Sequence, residues 1–280
     1  MAYEYDLIDV VVEDGVATAT LDVPPANVMT LPLFGELIRL GQQVSSDAAV
    51  RVLVMKSANP DFFIAHFDVE AILLIPIEGE ATRSRENTFH EMCECYRTME
   101  KVTIAQIEQR VGGGGSEFVM AFDMRFGVRG STVLNQMEVG LGILAGGGGT
   151  QRLPRLVGRA RALEILLSAD DIDAETAERW GYFNRIFEAD EIGPFVERLA
   201  RRIASLAPEA VVNTKRSVDC ADLPLAEGLV EEAYLFEKLI RTDAARRNMR
   251  RFLEIGGQTR EGELRIADLC AELARKEGRE

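Results

Sequence analysis

Residues 112–115 are four consecutive glycines, and their surroundings constrain this chain more than any other feature. The β-branched run VTIAQIEQRV, 102–111, leads into them as a strand. SEFVM follows, and Phe118, Val119 and Phe122 share one helix face from a start near Gly114. The order strand, glycines, helix leaves the backbone either slack or held open for a close approach. In the first case Glu117 is a helix cap reaching back to a free N–H. A phosphate site is a second possibility, but no Gly-Lys-Ser/Thr ending follows and the glycines lack the G-x-G-x-x-G spacing. In the third, free N–H groups at the helix start hold a carbonyl oxygen as it gains negative charge, and Glu117 stands beside it as a general acid or base.

The same textures recur along the chain. Residues 5–13 and 16–22 flank Asp14-Gly15 as a hairpin. Thr30 and Pro32 start a helix that runs to Ser45, 50–57 is a buried strand, and 83–99 is helical by composition. Short strands are expected at 124–128, 132–134 and 182–187, helices from Arg159 onward, and one last amphipathic helix over 261–275. Strands mixed with helices, then helices alone, describe an α/β core followed by a helical extension.

With 280 residues, 47% of them apolar, the chain can bury a large core. No apolar run approaches the roughly 18 to 20 residues of a membrane span. The first 38 residues carry acids and no Lys or Arg, the reverse of a transit peptide, so the cytoplasm is the expected address. A net charge of −14 opposes binding to nucleic acid or anionic membranes. The arginines of ARRNMRR, 245–251, read as a solvated helix face. Four scattered cysteines and two histidines, His66 and His90, offer no metal spacing. No metal is expected.

PANVMT (25–30), VRVLVMKS (50–57), FIAHFDVEAI (63–72), IEQRVGGGGSEFVMAFDMR (107–125) and the long run from NQMEVGLG to GYFNRI (135–186) occur in an order that resembles the crotonase (enoyl-CoA hydratase/isomerase) superfamily over residues 5–255. The resemblance implies a spiral of β-β-α turns with C-terminal helices that build trimers, often paired as hexamers. The corresponding division is 1–190 for the core and active site, 191–257 for the helical region and 258–280 for an extra terminal helix. It implies an acyl-CoA thioester substrate, with no cofactor beyond the coenzyme A that the substrate carries. The backbone N–H groups of Phe67 and Gly114 would form the oxyanion hole, Glu117 and Glu138 would be catalytic, and Ala65, His66, Asp68, Gly113 and Gly115 would line the substrate. Adding water to an enoyl thioester needs both a base for the water and an acid for the α-carbon, whereas a double-bond shift needs one carboxylate. Two glutamates therefore favour a hydratase; the alternatives are an isomerase, another acyl-CoA activity such as hydrolysis or decarboxylation, and a non-catalytic acyl-CoA binding protein.

The chain departs from the family pattern in three places. Glu108-Gln109 stands where Asn-Gly is usual. His66 replaces a glycine, a change that the tolerance of histidine for left-handed φ would allow. VPPANVMT lacks the basic residue expected to meet the pyrophosphate, which leaves Lys56, Lys101 or the arginines of 246–251 from a neighbouring subunit. The apolar stretch DVEAILLIPI, 68–77, suits an acyl chain or an aromatic acyl group.

Overall fold

The structure is a computed structural model that describes residues 2–78, 83 and 87–276. Its strands are β1 (Ile8–Glu13), β2 (Val16–Leu21), β3 (Val52–Ser57), β4 (Phe62–Ile64), β5 (Val102–Ile107), β6 (Arg110–Gly112), β7 (Met124–Val128), β8 (Val133–Asn135), β9 (Ile172–Asp173) and β10 (Arg185–Phe187). Asp14 and Gly15 join β1 to β2 with φ of 49° and 81°. This is the turn that Asp-Gly favours, because its twist matches the strands.

Among the described residues the strands form a six-stranded sheet in the order β1-β2-β3-β5-β7-β10 and a four-stranded sheet in the order β4-β6-β8-β9. The pairs β3·β5, β5·β7, β4·β6 and β6·β8 are parallel. Each turn of chain thus lays one strand in the first sheet and one in the second, then crosses over through helix, and advances by one strand. This is the β-β-α spiral. β5, central in its sheet, is buried at every position, as a parallel strand covered on both faces must be.

The expected single strand 102–111 is two strands in different sheets. The break falls at Glu108-Gln109, where the Thr132 hydroxyl donates to Ile107 O at 2.6 Å and the Ser131 hydroxyl to Glu108 O at 2.6 Å. These bonds satisfy carbonyls that leave the ladder.

The helices of the first part are α1 (Leu31–Ser46), α2 (Val69–Leu73), α3 (Thr88–Thr98), α4 (Gly113–Val119), α5 (Gly149–Val157), α6 (Arg159–Ser168), α7 (Ala174–Trp180) and α8 (Ala189–Ala204). Thr30 caps α1, which buries Leu33, Leu37, Leu40 and Val44. α3 starts later than composition suggested, because the Asn87 side chain accepts from His90 N at 2.9 Å and sets the N-terminus there. Residues 84–86 of the expected helix lie outside the described residues. The strand expected over 182–187 is confined to Arg185–Phe187, since Tyr182 N still bonds Ala177 O at 2.9 Å after the left-handed Gly181.

The chain separates into two compact units, residues 1–200 and 201–280. The second holds the end of α8 and α9 (Pro208–Asp219), α10 (Leu225–Ile240), α11 (Asp243–Glu254), α12 (Arg260–Leu264) and α13 (Ile266–Lys276). The last two replace the single helix expected over 261–275, with the break at Arg265. Among the described residues no helix is long and apolar enough to cross a membrane.

Candidate active site

The first glycine run is a contact surface. A Cβ added at Gly112 would lie 2.6 Å from Ala65 O, at Gly114 2.8 Å from Phe67 Cβ and 3.3 Å from Phe67 N, and at Gly115 2.6 Å from Ile64 Cβ. Gly113 has φ of +46°, and a Cβ there would stand 3.0 Å from both Glu138 Oε1 and His66 Cβ. The segment Ile64–Phe67 therefore presses directly on the start of α4, at separations no larger residue permits.

This contact brings two backbone N–H groups together. Gly114 is in the first turn of α4, so its N–H has no carbonyl within the helix to bond. Phe67 pairs with Met29 as in a parallel ladder: Met29 N donates to His66 O at 2.8 Å and Asp68 N to Met29 O at 3.1 Å. In that pattern the N–H and C=O of Phe67 itself face away from Met29. Asp68 points its carboxylate elsewhere, capping α2 by accepting from Glu70 N at 2.9 Å. His66 is not among the residues with positive φ, so its tolerance for the left-handed region plays no part.

Glu117 is not the cap of its own helix. α4 begins with Gly112 as N-cap and has no side-chain cap bond. Glu117 is then the fifth residue of α4, beyond the third position from which a capping-box side chain reaches back. Its partners lie thirty residues on: Oε1 accepts from Gly147 N and from Gly149 N, each at 2.7 Å. The second glycine run is thus the cradle of this carboxylate, at the N-terminus of α5. A Cβ on Gly147 would meet Glu117 Oε2 at 2.8 Å and Phe89 Cε1 at 2.5 Å. Sequence reasoning gave that run, residues 146–149, no task; a second tract of four glycines after the one that precedes Glu117 was the available signal.

Neighbours fix α4 from its other faces. Phe118 packs edge-on against Tyr96 with ring centroids 4.8 Å apart, and the Ser116 hydroxyl bonds the Tyr182 hydroxyl at 2.8 Å in the core. Burying Phe118 and Tyr96 contributes about 1.5–3 kcal/mol each.

Glu117 is only 4% exposed. Burial pushes its carboxyl from 4.5 up to about 7; the Gly149 and Gly147 amides and Arg152 pull the other way, while Glu138 adds to the rise. Arg152 also pairs with Glu94 at 2.5 Å. Glu138 opens the single 3₁₀ turn after β8, and its Oε2 is buried with no hydrogen-bond partner among the described residues. Burial raises its pKa too, opposed by its own backbone N–H and by His66. Glu117 can therefore take up and release a proton near neutral pH, and Glu138 holds its proton more firmly than a free carboxyl does.

Half-buried Phe34, Phe67 and Phe89 pack together beside these groups, with centroids 5.6–5.9 Å apart, and sequence reasoning missed Phe34 and Phe89. Of the basic residues considered for coenzyme A, Lys101 donates to Asp47 O at 2.9 Å, and the arginines of 246–251 lie on α11 in the second unit. Among the described residues no cluster of His, Cys, Asp and Glu could hold a metal ion.

The model of the enoyl-CoA hydratase/isomerase family matches residues 12–260. A crotonyl-CoA hydratase of Syntrophomonas wolfei is 30% identical over 256 residues, covering 91% of this chain and 96% of that protein. A short-chain-enoyl-CoA hydratase of Clostridium acetobutylicum is 30% identical over 245 residues, covering 86% and 92%. The solved structure of an enoyl-CoA hydratase from Bacillus anthracis superposes with a TM-score of 0.80 at 27% identity, covering 89% of this chain and 96% of that one.

Proposed function

Because the chain belongs to the enoyl-CoA hydratase/isomerase family, we propose that it adds water across the double bond of a 2-enoyl-CoA thioester. The observation that carries this reading is the pair of glutamates beside the start of α4, Glu117 buried and Glu138 half-buried with its Oε2 out of solvent, where Phe67 faces Gly114. The thioester oxygen accepts from the Phe67 and Gly114 N–H groups, which stabilise it as it becomes an enolate. Water attacks the β-carbon and passes a proton to Glu117 Oε2, the oxygen that the Gly147 and Gly149 amides leave free. The double-bond electrons move to the thioester oxygen; as they return, the α-carbon takes the proton of Glu138. Exchange with water resets both acids. Glu138 suits the donor's part because its unpartnered Oε2 favours the protonated form.

The coenzyme A of the substrate is the only cofactor the reading requires. Its site of action is cytosolic, a reading supported by four cysteines all in the free state. Assembly as trimers or hexamers draws support from the apolar stripe of Leu225, Leu229 and Phe236 on α10, 78%, 52% and 64% exposed. The test is loss of the ultraviolet absorbance of a conjugated thioester when purified protein is added. Turnover is expected on at least one member of a panel running from crotonyl-CoA to longer and aromatic enoyl thioesters. Saturable binding without turnover across that panel would overturn the hydratase in favour of a binding protein.

A further inference from the structure

The loop carrying Phe67 contains one ring to which the mechanism gives no task. We propose that His66 is a positioning residue whose imidazole clamps the Phe67 carbonyl and so keeps the Phe67 N–H aimed at the substrate oxygen. The use made of that N–H rests on the hydratase reading; the clamp itself rests on geometry.

Among the described residues three hydrogen bonds hold the backbone on either side of Phe67. Two lie on the Met29 side, Met29 N to His66 O at 2.8 Å and Asp68 N to Met29 O at 3.1 Å. They bind the groups flanking Phe67 and none of its own. The third lies on the opposite side, where His66 Nδ1 meets Phe67 O at 2.8 Å. In a parallel ladder the N–H and C=O of one residue point the same way, so the ring grips the carbonyl on the side to which the Phe67 N–H is turned. Among the described residues no other hydrogen bond reaches Phe67 on that side.

A carbonyl oxygen only accepts, so Nδ1 carries the hydrogen both in the neutral ring and in the imidazolium. The clamp therefore persists whichever state Nε2 is in. Gly113 makes room for it, since a Cβ there would stand 3.0 Å from His66 Cβ.

Two variants separate the clamp from other roles. His66→Ala removes the donor, whereas His66→Asn places an amide N–H one bond beyond Cγ, where Nδ1 stands, without a second ring nitrogen. In His66→Ala, hydrogen exchange over residues 66–68 should quicken, and kcat should fall about tenfold with KM within about twofold, less than the ~100-fold for deleting a donor outright. The red shift that a polarised carbonyl gives a bound, conjugated enoyl-CoA, measured in a Glu138→Gln background, should shrink. His66→Asn should recover most of all three effects. Exchange in His66→Ala equal to that of the unaltered protein would overturn the clamp and leave the hydratase reading standing. A His66→Asn protein as impaired as His66→Ala would also overturn it, by making Nε2 the working atom. Thioester bound to the Glu138→Gln protein with His66 in place and no red shift would remove the donor role, and the proposed oxyanion site would fall with the clamp.

Discussion

Glu117→Gln tests the site through stability and rate at once. The substitution preserves size and leaves an Oε1 able to accept from both Gly147 N and Gly149 N, so the cradle survives. Proton linkage should change. The folded-state value is raised from 4.5 to about 7. Below 4.5 both folded and unfolded chains carry the proton, and burial costs no charge. Between 4.5 and about 7 the unfolded chain loses its proton while the folded one keeps it, so stability falls as pH rises through that window. The fall amounts to ~3 kcal/mol and is complete above the folded value. Glutamine does not titrate. Urea unfolding at pH 5 and pH 8, at one protein concentration, should show the variant losing less stability than the unaltered protein, by up to ~3 kcal/mol. Its hydration rate should drop by about 100-fold or more, as for loss of a general base, and in the unaltered protein kcat/KM should rise with pH through about 7 as Glu117 ionises. An identical pH dependence of stability in the two proteins would refute the burial argument, and unchanged turnover would refute the role.

Glu138→Gln should abolish hydration, measured by thioester absorbance, while circular dichroism and the melting temperature stay close to those of the unaltered protein, because Oε2 has no partner to lose. Gly114→Ala drives a methyl to within 2.8 Å of Phe67 Cβ. It should cost about 1–3 kcal/mol in urea unfolding and at least ~100-fold in turnover as the two N–H groups separate. Tyr182→Phe strips the buried Ser116 hydroxyl of its 2.8 Å partner and should destabilise by about 1 kcal/mol, with KM little changed.

What the sequence disclosed and what it hid divide along the range of the interactions. The β1–β2 hairpin and the start of α1 were legible because Asp14-Gly15 and Thr30-Pro32 settle backbone conformation within four residues. The division of 102–111 between two sheets was not: β-branched residues at 102–107 and Val111 suit a strand in either sheet. The break at Glu108-Gln109 is sealed by Ser131 and Thr132, more than twenty residues later. The spiral came from resemblance alone, since no local pattern encodes which strands will stack.

Glu117 shows the same division within one side chain. Read with Gly114 as the N-cap, it falls at the third position and becomes a cap. With Gly112 as the N-cap, it lies two residues too deep, buried in the core. A carboxylate there is stable only if N–H groups come to it from elsewhere. Only a bare turn can bring them, because a Cβ at Gly147 or at Gly149 would strike the carboxylate itself at 2.8 and 2.9 Å. The two glycine runs are therefore one device. The first clears the way for Phe67 to approach Gly114, and the second lets backbone amides hold the acid that stands beside them.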